Sequence, residues 1–140
     1  MTLFYLFLVS CTAEETVCEI LQEDLTGQYE LTDRYYGGNC GPTGPMLTNF
    51  DHGQPLESGL GCMATYNEWY GDECINDMSM YCEGVDFLGP FEMTLQWSLF
   101  PEPDNAEKMD VWLDAWMSFA DGALVCESDY IYKAAKVEEQ

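Results

Sequence analysis

The most regular pattern in the chain is in "FEMTLQWSLF", residues 91–100, where Phe91, Met93, Leu95, Trp97 and Leu99 alternate with polar residues. A period of two places these side chains on one face of an extended segment and predicts a strand. Met109, Val111, Leu113, Ala115, Met117 and Phe119 form a second period-two face, and Asp121-Gly122 lies between it and the next apolar arm as a hairpin signal. A helix competes for residues 106–119, because Met109, Trp112, Leu113, Trp116 and Met117 also fit helical spacing behind Asn105 as a cap. The turn pair and the aromatic content favour a strand. "GQYELTDRYYGG", with Tyr29, Leu31 and Tyr35 among polar residues before a Gly-Gly stop, and "CMATYNEWY", residues 62–70, read as further strands. Between them lies a Gly- and Pro-rich region with a short strand at Met46–Phe50, while residues 71–90 and "PEPDNAEK" read as irregular. Val17, Ile20, Leu21 and Leu25 fit one short helical turn inside a polar tether.

The segment "LFYLFLVSCTAEE", residues 3–15, breaks this alternation with an uncharged apolar run. It is too short to cross a bilayer, which takes about 20 residues, and suits the apolar region of a signal peptide. Leu8-Val9-Ser10-Cys11 resembles the lipobox of bacterial lipoproteins, and the resemblance covers residues 1–11 only. It implies cleavage before Cys11, a lipidated (diacylglycerol- and acyl-bearing, palmitate-type) Cys11, and attachment to the cell envelope. Multiple acyl chains hold a protein durably where one does not. Thr12 follows the cysteine where enterobacterial lipoproteins retained at the inner membrane carry Asp, so the resemblance implies the outer membrane. No Lys or Arg precedes Arg34, although such signals begin basic, so the expected true start lies upstream of Met1.

Export changes how the cysteines read. Of seven, Cys11 is assigned to the anchor, leaving Cys18, Cys40, Cys62, Cys74, Cys82 and Cys126. An even set in an exported chain implies disulfides, with the pairing left open. There is no C-x-x-C, and His52 is the only histidine, so structural zinc does not fit. The organisation expected is a signal peptide over 1–10, a lipidated Cys and tether over 11–26, and one β-domain over 27–137. The fold class expected is all-β: a small, disulfide-stabilised antiparallel sandwich or barrel with a meander-like C-terminal half. In architecture alone this is similar to lipocalin-like and other small β lipoprotein domains, a likeness that does not carry function.

The chain holds 26 acids against 4 bases, a formal net charge of −22, with the acids scattered throughout. An acidic surface repels phosphate backbones, which excludes nucleic acid as a partner. Catalytic chemistry finds little support. His52, in "NFDHGQP" beside Asp51, has no serine elbow to serve, and no carboxylate pair stands out among so many, so no enzyme is expected. The metal candidate is Ca²⁺, on a disulfide-constrained acidic loop in "YGDECINDMSMYCEGVD", with Asp72, Glu73, Asp77 and Asp86 as ligands and Asn76 and Glu83 nearby. The spacing of an EF-hand is absent.

Aromatics make up 14% of the chain. If the aliphatic face of residues 109–119 points inward, Trp112 and Trp116 point outward as a platform for a glycan or an envelope protein. The expected function is thus a non-catalytic, lipid-anchored cell-envelope protein with an acidic β-domain in a binding or structural role. The alternative is a lipocalin-like carrier of a small apolar ligand, with Trp97 or Trp112 lining its cavity. An enzyme acting on glycans ranks third.

Overall fold

A computed structural model describes residues 17–56, 61–86, 89–119 and 123–138. Eight strands form one antiparallel sheet: β1 (Gly27–Gly38), β2 (Met46–Asp51), β3 (Gln54–Leu56), β4 (Gly61–Tyr70), β5 (Ile75–Asp86), β6 (Gly89–Glu102), β7 (Asn105–Phe119) and β8 (Leu124–Lys136). The order is β3-β2-β1-β8-β7-β6-β5-β4, so every pairing joins neighbours in sequence except β1 with β8. That pairing joins the first strand to the last and curls the meander into a nearly closed barrel whose seam lies between β3 and β4.

Residues 105–119 are a strand, and the aliphatic face wins the interior. Met109, Val111, Leu113 and Ala115 are buried there beside Leu95, Trp97 and Leu99 of β6 and Tyr130, Tyr132 and Ala134 of β8. The hairpin joining β7 to β8 is present in the pairing, although Asp121 and Gly122 lie outside the described residues. Two expectations are corrected. Residues 75–86 are a full strand, with Asn76, Met78, Met80 and Cys82 buried along one face. Their polar and soft side chains obscure the alternation, since Asn76 and two methionines occupy positions where aliphatic residues would announce a strand. The "PEPDNAEK" loop shrinks to a tight turn at Pro103-Asp104, because β7 begins at Asn105.

Both barrel ends are closed by chain segments fixed with disulfides. At one end the residues after β1 lie across the opening: Tyr130 Oη donates to Gly41 O at 2.7 Å, and Thr43 Oγ1 and Tyr132 Oη are 2.9 Å apart. Cys40–Cys126 ties this cap to β8. At the other end the expected tether is, from Cys18 onward, part of the fold. Ile20 and Leu25 are buried in the core, Gln22–Asp24 makes a single 3-10 turn, and Cys18–Cys74 fastens the segment. Ile20 and Leu25 cover the core end, whereas Val17 and Leu21 of the expected stripe are exposed. Cys62–Cys82 joins directly opposed residues of β4 and β5.

Candidate functional site

The barrel interior is filled by the protein itself. Tyr29, Leu31, Phe50, Trp97, Leu99, Val111 and Tyr132 are each no more than 2% exposed. Phe50 meets Tyr29 and Trp97 edge to face at centroid distances of 5.6 and 6.1 Å, the geometry that aligns ring quadrupoles favourably. Tyr29 Oη donates to Ala106 O at 2.6 Å. Burial pushes the Tyr29 and Tyr132 phenols up to about 12, with Glu107 and Asp24 adding to the effect at Tyr29, so both stay protonated. One interior group differs: the buried Trp97 Nε1 has no hydrogen-bond partner among the described residues.

A concavity of about 1020 Å³ lies instead on the outer wall, across β1, β8, β7 and β6 near the end covered by residues 18–25. It is lined by Glu30 and Arg34 of β1, Lys133 and Lys136 of β8, Lys108 and Asp110 of β7, and Phe100 and Glu102 of β6, among others. The register explains this convergence. Lys133 is opposite Thr32 on one side and Asp110 on the other, while Ala135 sits between Glu30 and Lys108. Ala135, reaching no further than Cβ between two long side chains, leaves the hollow. β1 bulges between Asp33 and Tyr35, and the extra residue is Arg34, whose Nη1 reaches Asp110 Oδ1 at 3.5 Å over the intervening strand. Bulges of this kind re-aim a side chain and raise the local twist.

Of the residues singled out in the sequence, Trp112 and Trp116 both lie on the outer face of β7, opposite in sense to the buried Val111, Leu113 and Ala115. Trp112 is 52% exposed and tilts against Phe100 at 5.3 Å, which places it on the rim of the concavity. Trp116 is half-buried, opposite Glu127 and Thr94. Between the tryptophans, Asp114 faces Asp129 across the β7–β8 ladder. Burial, then the hydrogen bond with Asp129 and its charge, push the Asp114 carboxyl up to about 6.

The acids expected to hold Ca²⁺ fall on different elements. Asp72 and Glu73 lie in the turn before β5, Asp77 lies on β5, and Asp86 ends that strand. Asp77 and Asp86 are nine residue steps, roughly 30 Å, apart along the extended strand. Cys74 and Cys82 do not constrain such a loop either, because they bond to Cys18 and Cys62. No group of three or more metal-ligating side chains occurs among the described residues. Asp77 instead accepts a hydrogen bond from Ser98 Oγ at 2.8 Å. His52 forms the exposed β2–β3 turn with Gly53, its Nδ1 3.0 Å from Asp51. Cys11 lies outside the described residues.

The concavity was not legible in the sequence, because its basic residues fall at positions 34, 108, 133 and 136, and Arg34 joins the three lysines only through the β1–β8 closure. The available signal was their rarity. Comparison with family models, curated proteins and solved structures finds no match for this chain.

Proposed function

We propose that this chain is a non-catalytic, lipid-anchored cell-envelope protein whose acidic β-domain binds its partner on the outside of the barrel. The observation that supports outside binding is the filled interior, where Tyr29, Phe50, Trp97 and Tyr132 occupy the space a carrier would give to cargo. Support for the envelope comes from the lipobox-like Leu8-Val9-Ser10-Cys11 and from six further cysteines joined in three disulfides, chemistry that belongs to an oxidising compartment. In the test, full-length protein and its Cys11→Ser variant are fractionated in a Gram-negative host. Wild type is expected in the detergent-soluble membrane fraction and the variant in the soluble periplasm. A variant that stays in the membrane without detergent overturns the anchor.

A second reading, a carrier of a small apolar ligand, is favoured by the orphaned Trp97 Nε1, which a buried carbonyl on a ligand would satisfy. Native mass spectrometry of gently extracted protein separates the two. A retained small apolar mass establishes the carrier, and an unliganded mass leaves the outer wall as the binding face.

A further inference from the structure

We infer that the concavity on the outer wall is a binding site for an acidic saccharide, a sugar chain bearing carboxylate or phosphate groups. The inference rests on the reading that binding occurs outside the barrel, and it is independent of the anchor.

The chain has four Lys and Arg residues against 26 acids, and all four, Arg34, Lys108, Lys133 and Lys136, line this one hollow. The rest of the surface is therefore without a lysine or arginine. Cations placed merely to neutralise carboxylates would be spread among them and paired. Of these four, Arg34 alone forms an ion pair, and the three lysines are exposed and without an ion-pair partner among the described residues, although Glu30 and Glu102 share the same hollow. Their ammonium groups are free to donate charge-assisted hydrogen bonds to an arriving anion.

The rest of the lining narrows the class of anion. Glu30, Glu102 and Asp110 would oppose a pure polyanion, but they accept hydrogen bonds from hydroxyl groups. Phe100 and the exposed Trp112 offer an aromatic surface at the rim, suited to the apolar face of a sugar ring. Hydroxyl donors, an apolar ring face and anionic groups occur together on an acidic sugar. An extended anionic surface such as a bilayer meets the charge of −22 before it meets the lysines, whereas a narrow chain fits between the walls. Pro101 and Pro103 bound the hollow at the β6–β7 turn with fixed backbone angles, which limits the ordering that binding requires.

The test is calorimetric titration of the full-length protein in detergent, disulfides intact, with a galacturonate oligomer, a phosphorylated mannose oligosaccharide, a neutral galactose oligomer of matched length, and inorganic phosphate. Sedimentation with phosphatidylglycerol vesicles is run alongside. At least one acidic sugar is expected to bind roughly tenfold or more tighter than the neutral oligomer, and Lys108→Gln with Lys133→Gln is expected to remove that advantage. Trp112→Ala is expected to weaken acidic and neutral sugars alike, with both variants keeping the wild-type far-ultraviolet circular dichroism spectrum. The inference is overturned if neither acidic sugar binds, if the lysine pair leaves binding intact, or if phosphate or the vesicles bind as well as the sugars. Retained apolar cargo in the mass spectrum would instead defeat the outside-binding reading, and the titration would then decide the hollow by itself.

Discussion

Asn76 shows how one polar residue is made to serve inside an apolar wall. It is fully buried on β5, donates from Nδ2 to Gly53 O at 3.0 Å, and accepts from Gln22 Nε2 at 2.8 Å. It thereby joins the β2–β3 turn and the N-terminal cap to the far side of the seam. Gly53 has φ of 79°, and a Cβ there would lie within 3.0 Å of the Asn76 side chain, so the close approach requires glycine. Asn76→Ala would orphan two partners and leave a void, and we expect a loss of about 2–3 kcal/mol, measured as a lower urea midpoint at unchanged slope. A loss below about 0.5 kcal/mol would show that the seam does not depend on it. Asp114 carries the opposite sign. Its folded carboxyl holds a proton up to about 6, against 3.8 for an unperturbed group, because it is partly buried and hydrogen-bonded to Asp129, whose charge adds to the effect. The folded state thus binds the proton more tightly than the unfolded chain. That contribution is fully present below about pH 4 and is lost as pH rises through 6. Asp114→Asn is therefore expected to stabilise the protein at pH 7, by about 1 kcal/mol once solvent screening of a largely exposed pair is allowed for, and to change little at pH 4. Equal effects at both pH values would contradict the shared proton.

At the scale of strands, legibility followed side-chain chemistry rather than regularity of structure. β6 and β7 are as visible in the sequence as in the fold, because Leu95, Trp97, Leu99, Val111 and Leu113 are apolar where the interior is apolar. β5 is equally regular and was hidden, since its inward positions include Asn76 and Cys82 and its outward ones carry Asp77 and Glu83. A segment read as irregular gathers its acids, and the same segment as a strand spreads them along β5. The disulfide framework was legible as a set of six cysteines, but the pairing follows from closure, which brings Cys40 to Cys126 across a separation of 86 residues. The outer hollow was hidden for the same reason, with Arg34 meeting Lys108 and Lys133 only after β1 docks on β8. Local pattern reveals elements, and long-range pairing reveals sites. Cys62–Cys82 illustrates a further role, pinning β4, the edge strand beside the seam, to its one paired neighbour. Replacing both cysteines by serine is expected to speed amide hydrogen exchange in β4 well before it does so in β7 or β8, which are paired on both sides. Uniform acceleration across the sheet would mean that the seam does not open on its own.

For the whole molecule the dominant fact is that a chain with 26 acids has only four lysines and arginines, drawn to a single side of the barrel. Folding concentrates these charges, so self-repulsion opposes the compact state, and unfolding relieves it. The barrel withstands this through a filled core and disulfides at both ends, which restrict how far the unfolded chain can expand. Screening should relieve the same repulsion without unfolding. The Debye length falls from about 30 Å at 0.01 M ionic strength to about 3 Å at 1 M, a range that runs from the breadth of such a barrel to the spacing of neighbouring side chains. Thermal midpoints are therefore expected to rise steadily with sodium chloride over that range. The increase should be steeper when Lys108, Lys133 and Lys136 are replaced by glutamine, because Arg34 alone then offsets the surrounding field. A midpoint that is flat or falls with salt would show that the acids are already compensated locally, and the lysines would then be counterions to their own neighbours rather than donors awaiting an acidic ligand. Circular dichroism melts of wild type and the triple variant at four salt concentrations decide between these outcomes.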